Sequence, residues 1–379
     1  MISRNTLGTR YPARKLADVV EFLDRQRRPV TESDRVPGPF PYYGANGVQG
    51  SIDKFLFDES LVLLAEDGGH FDDPGRGIAY RISGKTWVNN HAHVLRPKPC
   101  IDGNFLARVL ENYDVTPFVT GTTRGKLTKA GASEIIVPLP PLLEQRRIAA
   151  ILDQADALRA KRREALAQLD SLTQSIFVEM FGDPVINPNA WASAAFGNVG
   201  TLDRGVSKAR PRNAPELLGG PYPLIQTGDV ANCDGYIRQH TATYSETGLR
   251  QSKLWPTGTL CITIAANIAK TGILTFAACF PDSVVGFNAP QAATVEYVRV
   301  WLSFLQKALE DAAPESAQKN INLAILRSLK IPVPPFPLQE SFATRIQAVE
   351  SLKTTHRAAL TELDALFASL QHRAFAGTL

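Results

Sequence analysis

The chain has 379 residues, of which 44% are hydrophobic and 21% are charged. This length predicts two or three domains, and the composition predicts that each can bury a core. The formal net charge of +4 excludes a polybasic, histone-like protein, although a local basic patch is compatible with it. The four cysteines form no CxxC pair, and the sequence shows neither a signal-peptide stretch nor a membrane-spanning run. We therefore expect a cytoplasmic protein with reduced thiols.

The first part of the chain, about 1–135, alternates short β-rich runs with Gly, Pro, Asn and Asp turns, which predicts a mixed α/β globule. Within it, His91-Ala92-His93 predicts two imidazoles on one face of a strand. Two histidines without a third ligand favour a hydrogen-bonded pair or a contact to a ligand over a metal site. The segment GTTRGKL at 121–127 fails as a phosphate-binding loop, because its glycine spacing is one residue short and Leu127 replaces the Ser or Thr.

A proline-rich element followed by a long stretch without Pro or Gly comes next, at 137–181. Prolines end the preceding strand, and the stretch after them is rich in helix formers. Apolar residues recur in steps of three and four, as at Ile148, Leu152 and Ala155, which predicts a single helix with one apolar stripe. A helix of about 38 residues is about 57 Å long and needs a partner to bury that stripe.

The second block, about 186–330, repeats features of the first. PYPLIQTGDV at 221–230 matches PFPYYGANGV at 39–48, and the apolar run LCITI at 260–264 matches LVLLA at 61–65. A polar loop precedes each proline element, at 121–130 and at 315–324. These matches predict a second mixed α/β globule.

The segment 331–375 repeats 137–181 without a gap, and 14 of the 45 aligned positions are identical. The chain thus supplies a second helix of the same length. We expect the two helices to pack antiparallel as a coiled-coil-like pair. The predicted fold class is α/β (α+β), with two globules related by a pseudo-twofold axis. Parallel packing is the alternative, and it would place both globules at one end.

Motifs for catalysis are missing from the sequence. There is no nucleophile elbow, no cluster of nuclease carboxylates, and only a loose resemblance of Val333-Pro334-Pro335-Phe336 to an amino-methyltransferase tetrapeptide. We therefore expect a chain that is not itself a catalyst. Two unlike globules related by a twofold axis match duplex DNA, whose strands share that symmetry, so the expected target is split and asymmetric.

Several motifs in the same order resemble the specificity subunit of type I restriction-modification systems. They are PFPYYGANGVQGSIDKFLFDESLVLLAEDG (39–68), GKTWVNNHAHVLRP (84–97), IIVPLPPLLEQRRIAAIL (135–152) with its copy, GPYPLIQTGDV (220–230) and SAQKNINLAILRSLKIPVPP (316–335). The resemblance implies target-recognition domains at 1–137 and 184–332, with spacer helices at 138–183 and 333–379. The second spacer departs from the pattern, since PLQESF at 337–342 replaces the basic LEQRRI at 143–148.

The resemblance also implies a set of partners. They are double-stranded DNA, two methyltransferase (modification) subunits, and an ATP-dependent translocase and nuclease (restriction) subunit, with no membrane. S-adenosylmethionine, ATP and Mg are expected in those partner subunits, with no cofactor or metal in this chain. The alternative function is a protein–protein assembly scaffold with two recognition heads.

Base reading requires hydrogen-bonding side chains, and phosphate binding requires Lys, Arg and small polar groups. Candidates for DNA contact lie in three loops of each globule, namely Tyr43, Asn46, Asn89, Asn90, His91, His93, Thr122, Arg124 and Lys126 in the first, and Gln226, Thr227, Asp229, Asn288, Gln291, Gln318, Lys319, Asn320 and Asn322 in the second. The competing interpretation is that the Asn and Gly residues make turns and that the tyrosines belong to the core.

Partner docking is expected at Gln145, Arg146, Arg147 and Gln339. The basic run Arg159-Ala160-Lys161-Arg162-Arg163 is compatible with a solvated helix face, with phosphate contact, or with salt bridges to a partner subunit.

Overall fold

A computed structural model describes residues 10–73, 76–121, 125–265, 268–311 and 321–379. The chain divides into two compact units. The first comprises Met1–Glu164 and Arg357–Leu379, and the second comprises Ala165–His356. Each of the two long helices contributes one part to each unit. Within the described residues, no helix is long and apolar enough to cross a membrane.

The elements of the first unit come in two groups, the strands and the helices. The strands are β1 (Ala13–Lys15), β2 (Val20–Phe22), β3 (Phe40–Gly44), β4 (Gly47–Ile52), β5 (Phe57–Asp58), β6 (Leu61–Ala65), β7 (Ala79–Ile82), β8 (Lys85–Val88), β9 (Ala92–Pro97), β10 (Val119–Thr120), β11 (Lys126–Leu127) and β12 (Ile136–Pro138). The helices are α1 (Leu16–Val19), α2 (Gly103–Leu110), α3 (Lys129–Ser133) and the start of α4 (Leu142–Phe181).

The elements of the second unit follow in the same way. The strands are β13 (Ser193–Ala195), β14 (Thr201–Arg204), β15 (Leu218–Leu224), β16 (Gly235–Ile237), β17 (Ala242–Tyr244), β18 (Leu254–Trp255), β19 (Leu260–Thr263), β20 (Thr271–Leu274), β21 (Ala278–Cys279), β22 (Val284–Asn288) and β23 (Lys330–Pro332). The helices are α5 (Thr227–Ala231), α6 (Glu246–Arg250), α7 (Ala292–Asp311), α8 (Leu323–Ser328) and α9 (Phe336–Ala376), whose last part belongs to the first unit.

The two units share the order of eight equivalent strands in two sheets, and the second unit adds one edge strand, β16. In the first unit the sheets have the orders β2-β9-β6-β7 and β4-β3-β8-β5, and in the second they have the orders β14-β22-β19-β20-β16 and β17-β15-β21-β18. In the second of these sheets in each unit a single pair is parallel, β3 with β8 and β15 with β21. The matching runs LVLLA and LCITI form β6 and β19, which occupy equivalent positions and are fully buried. The internal repeat of the globules is therefore confirmed at the level of topology.

The proline elements also take equivalent places. Pro138 ends β12, which pairs antiparallel with β1, and Pro332 ends β23, which pairs antiparallel with β13. Proline is tolerated there because each ladder has only two strands and leaves an outer edge free of pairing. The long helices begin four residues after these prolines, as the loss of Pro and Gly in the sequence predicts.

In the first unit, the start of α4 packs antiparallel against the end of α9. Arg147 donates to the carbonyl oxygen of Leu379 at 3.0 Å, and Arg159 donates to Asp364 at 2.6 Å. Residue numbers along α9 therefore decrease as those of their partners along α4 increase, which is the mark of antiparallel helices. Ile148, Leu152 and Phe375 lie in the shared core of this unit.

In the second unit, the end of α4 packs antiparallel against the start of α9. Lys353 lies 2.6 Å from Asp170, and Arg345 lies 3.4 Å from Glu179. Phe177 is fully buried and its ring packs edge-on to that of Phe342, with 5.6 Å between centroids. The expected fold class and the antiparallel packing of the helices are thus confirmed, whereas the domain boundaries proposed above stay predictions.

Candidate nucleic-acid interface

In the first unit, four segments of the chain meet around one polar surface cavity of about 410 Å³. They are the loop before β3, the turn between β3 and β4, the segment after β6, and the turn between β8 and β9. Four of the residues predicted to contact DNA line it together, namely Asn46, Asn89, Asn90 and His91. We call this cavity the amide pocket.

Hydrogen bonds hold the walls of the amide pocket in place. Asn89 accepts from the backbone N–H of His91 at 2.8 Å and donates to Gln49 at 3.0 Å. His91 is hydrogen-bonded through Nδ1 to Asp67. Asn46 is exposed and donates to the carbonyl oxygen of Gly68 at 2.9 Å. The backbone of this turn needs Gly47, whose φ of +108° is a conformation that side-chain-bearing residues rarely adopt.

The structure corrects the roles predicted for Asn89 and His93. Asn89 is only 3% exposed, and its amide group makes the two hydrogen bonds that hold the pocket walls together. Its role is therefore to support the pocket. His93 is 1% exposed, so it cannot reach a DNA groove. His91 lies in the turn before β9 and only His93 lies in the strand, so the predicted pair on one strand face is wrong.

His93 belongs to a buried cluster of charged residues. Its Nδ1 lies 2.7 Å from Asp24, and its Nε2 lies 2.8 Å from the carbonyl oxygen of Leu127. Glu66 accepts from Arg27 at 2.6 Å and lies 3.1 Å from Lys126. Asp24, Glu66 and His93 are close enough together to suggest a metal-binding group. Both ring nitrogens of His93 are already engaged, however, and Arg27 and Lys126 balance the carboxylates.

The pKa values of the two carboxyl groups reflect this balance. Burial alone would raise the pKa of Asp24, but the hydrogen bond and charge of His93, with help from Arg27, hold it below its ordinary value. Burial likewise opposes ionisation of Glu66, and hydrogen bonds from Arg27 and Lys126 lower its pKa. Both groups are therefore ionised at neutral pH and hold Arg27 and Lys126 in place.

The other candidates of the first unit lie apart from this pocket or fall outside the described residues. Tyr43 is half-buried and its ring lies 5.9 Å from that of Tyr80, centroid to centroid. Lys126 is exposed but paired with Glu66. Thr122 and Arg124 lie outside the described residues.

In the second unit, Gln226, Thr227 and Asp229 surround the first turn of α5. Gln226 is exposed, and its backbone N–H donates to the carboxylate of Asp229 at 2.8 Å. Asp229 also accepts from the hydroxyl of Thr241 at 3.1 Å. Asp229 and the side chain of Gln226 thus form a capping box at the start of α5, and Thr227 is partly buried.

The remaining candidates of the second unit are dispersed. Asn288 ends β22 and accepts from the hydroxyl of Thr259 at 2.9 Å. Gln291 is exposed just before α7. Asn322 caps α8 by accepting from the backbone N–H of Ile325 at 2.9 Å. Gln318, Lys319 and Asn320 lie outside the described residues.

The structure also corrects two of the residues predicted to dock a partner. Gln145 is fully buried, donates to the carbonyl oxygen of Pro140 at 2.8 Å, and accepts from the backbone N–H of Asp102 at 2.7 Å. Its repeat equivalent Gln339 is 4% exposed and donates to the carbonyl oxygen of Pro334 at 2.9 Å. Both glutamines therefore fasten the start of a long helix to the proline segment that precedes it.

Arg146 and Arg147 remain accessible on the first turns of α4. The side chain of Arg146 is 68% exposed, and Arg147 pairs with Glu144 at 2.7 Å. In the basic run, by contrast, Arg159 and Arg163 both bind Asp364 of α9, at 2.6 and 3.2 Å. These two arginines join the helix pair within the first unit, which none of the three interpretations of the run had included.

Sequence reasoning missed several polar residues of the amide pocket, among them Arg35 and Gln49. Arg35 lines it, with its guanidinium 4.2 Å from the centre of the Tyr42 ring, and it donates to the carbonyl oxygen of Gln49 at 2.7 Å. Gln49 lines it from β4. Neither belongs to a recognisable motif, and the only available signal was the closeness of Gln49 to Asn46 along a predicted strand pair.

Comparison with known proteins identifies the family. The model of the type I restriction modification DNA specificity domain matches the chain twice, at residues 11–168 and 188–364. Over 154 residues the chain is 38% identical to a putative type I restriction enzyme specificity subunit of Haemophilus influenzae, covering 41% of this chain and 40% of that protein. It is 21% identical over 263 residues to the putative MjaX specificity subunit of Methanocaldococcus jannaschii, covering 65% and 60%. The chain thus spans about half the length of these relatives.

A solved structure agrees with this result at the level of the fold. The type I restriction-modification S subunit from M. genitalium superposes with a TM-score of 0.63 at 14% identity, covering 98% of this chain and 97% of that one. Because the family model matches both halves of the chain, the protein belongs to the type I restriction-modification DNA specificity family.

Proposed function

We propose that the chain is the sequence-specificity subunit of a type I restriction-modification complex, and that it reads a split, asymmetric DNA target without catalysing a reaction itself. The observation that carries the proposal is the double match of the DNA specificity domain, once in each half of the chain. Two copies of one topology with different loops supply two similar surfaces that read different sequences. The target-recognition domains are residues 1–137 and 184–332.

The amide pocket is the proposed reading site of the first domain. Asn46 and Asn90 are exposed at its rim, and a carboxamide presents a donor and an acceptor that pair with the major-groove edge of adenine. The corresponding groups of the second domain are Gln226, which is exposed, and Thr227, which is partly buried. Because these side chains differ in type and placement, the two half-sites differ.

The helices are proposed to dock two methyltransferase subunits, which bring S-adenosylmethionine, while ATP and Mg enter with a translocase and nuclease subunit. Exposed leucines support this. In the first unit, Leu158 and Leu366 are about half exposed, and the Arg159–Asp364 ion pair places them opposite each other. Each lies three residues after a position that faces the partner helix, so in an antiparallel pair both lie on the same side. We call them the first leucine pair.

Leu172 and Leu352 form an equivalent pair in the second unit, near the Lys353–Asp170 ion pair, and are 41% and 52% exposed. The repeat relates Leu158 to Leu352 and Leu172 to Leu366, since both are separated by 194 residues. Solvent-exposed leucines that recur at equivalent positions indicate two equivalent apolar contacts, as two copies of one partner would require.

The test is adenine-methylation mapping of cells that express the chain together with its methyltransferase subunits. We expect one bipartite motif to be methylated, with two unlike half-sites separated by a fixed gap. Omission of this chain is the control, and methylation of the motif should then disappear. If the complete set of subunits assembled but methylated no bipartite motif, the proposal would be wrong and the scaffold function would take its place.

A further inference from the structure

Each unit carries a basic loop at the same point of its topology, outside the loops from which the sequence predicted DNA contacts. The first basic loop, residues 23–39, joins β2 to β3, and the second basic loop, residues 205–217, joins β14 to β15. β2 and β14, like β3 and β15, occupy equivalent sheet positions. The sequences of the two loops differ, DRQRRP in one and SKARPR in the other, but both cluster cations.

The backbone of the first basic loop is fixed by neighbouring side chains. The hydroxyl of Tyr42 accepts from the N–H of Val30 at 2.9 Å and donates to its carbonyl oxygen at 3.1 Å. Trp87 donates to the carbonyl oxygen of Arg28 at 2.7 Å. Arg27 is committed to Glu66 and to the carbonyl oxygen of Ala92, both at 2.6 Å. The loop is therefore an ordered surface.

Two cations of this ordered loop have no role within the fold. Arg25 and Arg28 are exposed, and within the described residues their guanidinium groups make no hydrogen bond and no ion pair. The same loop supplies Pro29, Val30 and Thr31 to the wall of the amide pocket. The free guanidinium groups are therefore attached to the segment that borders the proposed base-reading site.

The second basic loop is likewise held by neighbouring side chains and carries an exposed cation. Ser252 donates to the carbonyl oxygen of Val206 at 2.7 Å, and Gln251 accepts from the N–H of Ala209 at 3.0 Å. Lys208 is exposed, and its ammonium group makes no ion pair within the described residues. Arg212 pairs with Asp282 in the segment between β21 and β22, which is the topological equivalent of the turn that carries His91.

We propose that these two loops bind the phosphate backbone of duplex DNA, through Arg25 and Arg28 in the first unit and Lys208 in the second. This inference rests on the proposed function and adds to it a separate, sequence-independent contact in each unit. A solvated surface charge has no reason to recur at the same connection of two diverged domains, whereas duplex DNA presents phosphates at both half-sites. Because the backbones of these loops are already fixed, little conformational entropy is lost from them when the cations bind DNA.

The test uses the assembled complex from the methylation experiment and a duplex that contains the mapped motif. Binding is measured by fluorescence anisotropy between 50 and 200 mM NaCl for the wild type, for Arg25→Gln with Arg28→Gln, and for Lys208→Gln. Each lost phosphate contact should reduce the slope of log affinity against log salt by about 0.9, so we expect reductions of about 1.8 and 0.9. The methylated motif should stay the same.

The matched controls are Arg14→Gln and Lys330→Gln, two exposed cations of the β1–β12 and β13–β23 ladders, which should retain the wild-type slope. An unchanged slope in the loop variants would overturn the inference, and so would an altered motif, because the side chains would then read bases. If the wild-type complex methylated no motif, the proposed function itself would fail, which is a different result.

Discussion

Gln145 and Gln339 show how one side-chain type serves the same structural purpose in both copies of the repeat. Each lies near the start of a long helix and donates back to the carbonyl oxygen of a proline five residues earlier. Gln145 additionally donates to the carbonyl oxygen of Cys100 at 3.1 Å, and Gln339 accepts from the hydroxyl of Thr294 at 2.9 Å. Each glutamine thereby connects a helix to its own globular part.

Replacing Gln145 by Ala should destabilise the first unit by about 1–3 kcal/mol, because the buried hydrogen bond to Pro140 and the part-buried ones to Cys100 and Asp102 are lost. The measurement is urea denaturation followed by circular dichroism. Gln154→Ala is the matched control, since Gln154 is exposed on the same helix and should change stability by less than about 0.5 kcal/mol. Equal midpoints for the two variants would show that the buried amide contributes nothing.

Single residues are also where prediction from sequence was weakest. The sequence drew attention to Asn46, Asn90 and His91, which line one pocket, and their contact with DNA stays a prediction. It could not separate them from Asn89, which is buried beside them, because an asparagine in a turn has the same sequence context whether its amide faces solvent or the turn itself. The same ambiguity applies to Asn322, which caps a helix.

At the scale of elements, the helices were the most predictable part of the chain. Absence of Pro and Gly over nearly forty residues leaves little alternative to one continuous helix, and α4 and α9 are 40 and 41 residues long. The short strands were less predictable. Several have only two or three residues, as β5 and β18 do, and their pairing is set by contacts far along the chain.

The leucine pairs permit a test at the scale of the helices. Replacing both Leu158 and Leu366 by Ser should weaken docking of the methyltransferase copy at the first leucine pair by at least about tenfold, since two apolar contacts of about 1 kcal/mol or more would be lost. The measurement is the amount of methyltransferase that co-purifies with the tagged chain at matched expression. It should fall from two copies towards one copy per chain, because Leu172 and Leu352 are unchanged. Stability should change little, because both side chains are about half exposed.

Leu254→Ser provides the control for this experiment, because Leu254 is a 43% exposed leucine on a strand of the second unit. It should leave co-purification unchanged. Equal co-purification of the double leucine variant and the wild type would remove the leucine pair from the docking surface, and Arg146 and Arg147 would remain as the predicted contacts.

For the whole molecule, the consequence of duplication is that two reading surfaces can change independently. The units share the order of their strands, but their loops differ in length and in side-chain type. Substitutions at sites without shared partners combine additively. Specificity for one half of the target should therefore be adjustable without any effect on the other half.

Asn46→Ala with Asn90→Ala should relax the methylated motif in one half-site only, and Gln226→Ala with Thr227→Ala should relax it in the other half-site only. Loss of a good side-chain contact to a base lowers discrimination at that position by about 1–3 kcal/mol, so mapped motifs should become degenerate there while the gap stays constant. Asn104→Ala and Thr257→Ala, at exposed positions outside these sites, should leave the motif intact. If either pair of substitutions altered both half-sites, one surface would be reading the whole target, and the division of reading between the two domains would be wrong.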